Sequence, residues 1–133
     1  MALKKIRLEL ARTAAAPEGD RRCGYEFIAP LDAQGRLDAR AWPHDKSKCT
    51  VRRFWADQDD EHGMLVHHRD DRWLFSYRPG EEDDEPIFRF ATHAFIPGEY
   101  VSITEHDGVE RPFRVTVARP LLQVTRARSS ATG

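Results

Sequence analysis

"IPGEYVSITEHDGVERPFRVTV", residues 96–117, alternates apolar and polar side chains on both sides of an Asp-Gly pair. That is the pattern of two strands joined by a tight turn. A two-residue turn at Asp107-Gly108 would set Ile103 against Pro112 and Val101 against Arg114, mixing the two faces. A three-residue loop, His106-Asp107-Gly108, puts Gly108 at the left-handed position of a bulged turn. It sets Val101 against Phe113 and Glu99 against Val115. Val101, Ile103, Val109, Phe113, Val115 and Val117 then share one face, with Ser102, Thr104, Glu110, Arg114 and Thr116 on the other. A one-residue slip would exchange the faces, so the hydrophobic pattern selects the longer loop. The hairpin is predicted to be one wall of a core, with Thr104 and Arg114 exposed.

Working outward, other stretches read the same way. From Lys4 to Ala11, Ile6, Leu8 and Leu10 alternate with Lys5, Arg7 and Glu9. "YEFIAPL" (25–31) is a second strand, stopped by Pro30, and "DAQGRLD" (32–38) is a turn. "DARAW" (38–42) can start a helix with Asp38 as its N-cap, cut short by Pro43. "KCTVRRFWA" (48–56) is a third strand. "GMLVHHRDDRWLFSYR" (63–78) is a hairpin; with Asp70-Asp71 at its tip, His68 faces Trp73, Val66 faces Phe75 and Met64 faces Tyr77. His67 then points outward. "IFRFA" (87–91) is a further short strand.

Seven or eight short strands with at most one short helix predict an all-β fold, a single small antiparallel barrel or sandwich. The domain is expected over residues 3–120, followed by a disordered tail at 121–133.

The chain of 133 residues carries a net charge of −1, which gives no global field to hold nucleic acid or an acidic membrane. The charge is unevenly placed. Residues 1–56 hold 12 basic against 7 acidic side chains, residues 57–85 hold 3 against 11, and residues 86–133 hold 6 against 4. The acidic middle comes from "DQDDE" (57–61) and "EEDDE" (81–85), which read as solvated ends of the 63–78 hairpin. "MALKKIRLELAR" lacks the continuous apolar core of a signal peptide, and no apolar run approaches the ~20 residues that span a bilayer. The expected location is cytoplasmic, with Cys23 and Cys49 reduced.

The chemistry-bearing side chains give no catalytic constellation. The histidines (44, 62, 67, 68, 93 and 106) form neither H-x-H nor H-E-x-x-H, so no metal site is expected. No serine sits in G-x-S-x-G, and Cys49, at the head of an apolar strand, reads as a small buried hydrophobe. "VRRFW" (51–55) interleaves guanidinium groups with aromatics, as surfaces that stack on single-stranded nucleic acid do. The adjacent "DQDDE" opposes that use, so nucleic acid is disfavoured, and Arg52 and Arg53 are expected to pair with those acids. One arginine held internally by a carboxylate is the more interesting alternative.

Three resemblances bear on the reading. "PGEYVSITEHDG" resembles the second half of a cupin motif, but the cupin ligands are missing and Arg111 stands where a later histidine would be. "FIPGEYVSI" (95–103) followed by "RPFRV" (111–115) is similar to the flavin-binding barrels of the ferredoxin-reductase type. Arg114 replaces the hydroxyl residue there, and no glycine-rich nucleotide motif follows. "IRLELAR", "GYEFIAPLD", "CTVRRFW" and "FIPGEYVSITEHDG" with "FRV" together resemble a family of small uncharacterised bacterial proteins with no assigned activity. That resemblance implies a small soluble bacterial protein and nothing catalytic.

The sequence is therefore read as a non-enzymatic binding or interaction module whose partner is a protein or a small ligand, with no cofactor. The alternative is a small-molecule enzyme or carrier using the barrel interior. The binding candidates are Arg52, Arg53, Trp55, His68, Trp73 and Arg111.

Overall fold

The alternation at the start of the chain builds strand β1 (Ala2–Leu10), whose Ile6 and Leu8 are fully buried while Lys5 and Arg7 are not. Among the described residues seven more strands follow: β2 (Asp20–Leu31), β3 (Thr50–Phe54), β4 (Glu61–His67), β5 (Trp73–Ser76), β6 (Glu85–Phe88), β7 (Tyr100–Thr104) and β8 (Glu110–Pro120). The computed structural model describes residues 2–68, 72–77, 85–88, 94–105 and 107–121. Each strand pairs antiparallel with the next, and β8 returns to pair with β1, closing a barrel. Closure removes the sheet edges that an open meander would leave unpaired.

The β7–β8 hairpin takes the expected register. Val101 lies opposite Phe113, and the N–H of Val115 donates to Glu99 O at 2.8 Å. Glu105 N donates to Val109 O, so the loop is 106–108, and Gly108 has a φ of 83°. A left-handed backbone at that point costs glycine nothing and another residue a Cβ clash. Val101, Ile103, Phe113 and Val115 are buried and Arg114 is exposed. Val109 departs from the expected buried face: it is exposed at the loop. Thr104, expected to be exposed, is half-buried.

The interior is filled by aromatic rings in contact along the barrel. Phe113 meets Tyr25 at 5.2 Å between centroids, Tyr25 meets Phe75 at 5.0 Å, Phe75 meets Phe27 at 5.1 Å, and Phe27 meets Phe95 at 5.7 Å. Such tilted and edge-to-face pairs add about 0.5–1.5 kcal/mol each beyond the area they bury. At the far end, Leu37 is buried and Phe95 N donates to Gly35 O, so the 32–38 turn lies against that end of the column.

Three sequence expectations are corrected. The β4–β5 hairpin is shifted by one residue: His67, not His68, pairs with Trp73, and Leu65 pairs with Phe75. His68 N donates to Arg72 O, leaving three residues rather than two at the tip, and residues 69–71 lie outside the described residues. The longer connection turns Leu65 inward, where it is buried, and leaves Met64 and Val66 half-buried. Strand β2 does not stop at Pro30, which is buried within it opposite Leu3.

The helix α1 (Trp42–Asp45) begins later than expected, with Ala41 as its N-cap and Pro43 in its first turn, where a missing N–H costs nothing. Asp38 instead shapes the preceding turn, its Oδ1 accepting from Arg40 N and Ala41 N. A 3₁₀ turn at Lys46–Lys48 then leads into β3. Leu121, the first residue of the expected tail at 121–133, donates its N–H to Leu3 O, and residues 122–133 lie outside the described residues. So do residues 81–84 of the second acidic run and 89–91 of the predicted strand.

Candidate functional site

Three of the six candidate residues converge at one end of the aromatic column. Along β3 the inward positions are Val51 and Arg53, and Trp55 follows in the same phase; on β2 they include Tyr25 and Phe27. Tyr25 and Arg53 are cross-strand partners. The inward phase of β7 runs Val101, Ile103 and on to Glu105, whose side chain is 1% exposed. Glu105 Oε2 accepts from Tyr25 OH at 2.6 Å and from Arg53 Nε at 3.2 Å, while its Oε1 accepts from Arg111 Nη1 at 2.6 Å. This is the internal arginine bonded to a carboxylate, and its partner is Glu105 rather than an acid of the 57–61 run.

The cluster is graded from dry to wet. Burial works against the charge of Arg53, but the attraction of Glu105 outweighs it and holds the guanidinium firmly protonated. Arg111, at the rim, retains 28% of its side-chain exposure and also clasps Asp107 through Nη1 and Nη2. Hydrogen bonds from Arg111 and from the Val109 N–H hold the Asp107 carboxyl below its usual range. The Trp55 ring lies near both guanidinium groups, 4.2 Å from Arg53 and 6.0 Å from Arg111, and meets Phe113 edge-on at 6.3 Å between centroids. The two arginines, Glu105 and Asp107 balance in charge. The arrangement is an ionic plug seated on the aromatic column.

The remaining candidates lie elsewhere. Arg52 points outward and pairs with Glu26 at 2.9 Å and, as expected, with Asp60 of the acidic run at 2.8 Å. Glu26 also binds Arg7, and both guanidiniums stack on Phe54, at 4.3 and 4.9 Å. Trp73 is buried in the core, 4.4 Å from the His67 ring and 6.4 Å from Trp42, whose Nε1 donates to Leu65 O. The expected His68–Trp73 stacking is replaced by His67–Trp73, the consequence of the shifted register.

A second feature escaped the sequence reading. Where the register of β1 shifts against both neighbours, Thr116 of β8 and residues 21–23 of β2 are left out of the pairing with β1, and beside these shifts lies a groove of about 660 Å³. Gly19, with φ of 74°, packs so closely under β1 that a Cβ there would come within 2.7 Å of Leu10 O. The groove is lined by Arg12, Arg21 and Arg22 on one bank and by Tyr100 and Arg114 on the other. Tyr100 and Arg114 are cross-strand partners, and Tyr100 is 56% exposed.

Among the described residues, no group of three His, Cys, Asp or Glu side chains is placed to hold a metal ion, and no helix is long and apolar enough to cross a membrane. Cys23 and Cys49 are buried and not bonded to each other. Comparison with known protein families, with curated proteins and with solved structures gives no match to this chain.

Proposed function

We propose that this protein is a non-enzymatic binding module that recognises its partner on the outer wall of the barrel. The observation that carries this reading is the filled interior. A continuous column of rings from Trp55 to Phe95 occupies the space that a carrier or barrel enzyme would give to its ligand. The polar groups at the end of the column are already consumed by one another: Glu105 accepts three hydrogen bonds and Arg111 is held by two carboxylates. The groove with Tyr100 and Arg114 offers what the interior does not, an exposed aromatic beside charge. Two buried cysteines that are not bonded to each other favour a reducing compartment, which supports a cytoplasmic location.

Native mass spectrometry of freshly purified, untagged protein tests this. The expected mass is that of the bare chain. A stoichiometric organic molecule or metal that survives gentle desolvation and leaves only on denaturation would establish the carrier reading instead.

A further inference from the structure

We infer that the groove between β8, β1 and the start of β2 is a docking site for an extended acidic segment of a partner protein. The inference rests on the binding-module reading and adds the chemistry of the partner. The decisive feature is which charges in the groove are already used. Arg22 is bound to Asp20 through Nε and Nη2, and Glu9 is bound by Arg7. Arg12, Arg21 and Arg114 make no side-chain hydrogen bond or ion pair among the described residues, and all three are exposed. Against these stands one carboxylate without a partner, Glu18. The groove therefore presents surplus positive charge on both banks, with the exposed Tyr100 across the β7–β8 ladder from Arg114.

Guanidinium forks suit carboxylates and phosphates alike, so the lining must decide between them. A nucleic-acid strand carries a phosphate at every nucleotide and needs a sustained basic track. Here Glu9, Glu18 and Asp20 interrupt the basic residues. A peptide places its carboxylates at intervals and can avoid those points, and its apolar side chains can lie on Tyr100. The backbone is pre-organised: Arg7 Nη2 donates to Arg21 O, and Arg22 N to Asp20 Oδ1, so the arginine-bearing bank is fixed before a ligand arrives. Pre-organisation lowers the ordering cost of binding.

The test uses the full chain and fluorescence anisotropy. The probes are a labelled short peptide alternating Glu with Tyr and Gly, the same peptide with Gln for Glu, and a thymidine oligonucleotide of matched length. The acidic peptide should bind, weaken as the Debye length falls from ~10 Å at 0.1 M salt to ~3 Å at 1 M, and lose about tenfold or more in affinity on Arg114→Glu, with a smaller loss on Tyr100→Ala. Arg119→Glu, on the exposed end of β8 outside the groove, should change affinity less than about twofold. Circular dichroism melting of each variant guards against misfolding. No binding of the acidic peptide, equal binding of its Gln counterpart, or insensitivity to Arg114→Glu overturns the proposal. Tighter binding of the oligonucleotide also overturns it while leaving the protein a binding module, whereas a small molecule found in native mass spectra would remove that wider reading itself.

Discussion

Tyr25 and Arg53 face each other across the β2–β3 ladder and bond the same atom, Oε2 of Glu105. A phenol and a guanidinium thus share one buried carboxylate oxygen at the end of an aromatic column. Nothing about any of the three residues alone announces this. Their phases along three separate strands do, because each sits where an apolar side chain would normally point inward.

Removing the shared acceptor should be costly. Glu105→Ala leaves the Arg53 charge and the Tyr25 hydroxyl buried without it, a situation that typically costs about 3–5 kcal/mol. Urea titration of the variant should show that loss, whereas Arg111→Ala, at the wet rim, should lose only about 1 kcal/mol. A loss under about 1 kcal/mol for Glu105→Ala would mean the cluster contributes little to the fold.

Acid should act through the outer face. Burial alone would raise the Glu26 carboxyl, but hydrogen bonds from Arg52 and Arg7 outweigh it and hold it below its ordinary value of 4.5. A carboxyl depressed in the folded state stabilises above the unfolded value, and that contribution is lost as pH falls through the folded one. Stability measured from pH 6 downward should therefore decline below about pH 4.5, and Glu26→Gln should flatten that part of the curve by about 1 kcal/mol. An unchanged slope in the variant would assign the acid sensitivity elsewhere.

The thiols should be silent until the barrel opens. Burial, helped by Asp45, pushes the Cys49 thiol up to about 11, and burial also raises Cys23. Thiolate is the reactive form, so at pH 8 a disulfide-exchange reagent should label neither cysteine in the native protein and both in guanidinium chloride. Rapid labelling of the native protein would contradict the burial of these side chains.

Phe113 lies where the column meets the ionic plug, touching both Tyr25 and Trp55. Phe113→Ala should cost about 3–5 kcal/mol, the usual loss for a packed phenyl ring. The same change at the exposed Val109 should be within about 0.5 kcal/mol of neutral, which calibrates the measurement.

The β7–β8 hairpin was legible because its apolar run and its Asp-Gly turn demand one register. The β4–β5 hairpin was not. Met64, Leu65 and Val66 are consecutive apolar residues, so either face could have been the core, and only the length of the connection decides. Pro30 misled for a similar reason: proline forbids a donor, yet a strand can carry it where that donor is not needed. Arg53, Trp55 and Arg111 stand out by composition, but Glu105 and Tyr25 carry no such signal alone. Tracking polar residues that fall on an inward phase would have found them. The groove had no such signal, since the register shifts beside it arise from how β8 and β2 each pair with β1.

The closure of β8 on β1 also sets an order of events during synthesis. Seven of the eight pairings join neighbours in the chain and can form as hairpins emerge, but Thr116 and Arg7, in contact in the finished barrel, are separated by 109 positions. Until β8 leaves the ribosome, one side of β1 is a naked template for any other unfinished strand. Lys4, Lys5 and Arg7 punctuate that side with charge, a common guard on exposed strand edges. Nascent chains stalled before β8 should remain protease-sensitive, and replacing those three residues with threonine should make them aggregate; equal solubility of the two would show that the charges protect nothing.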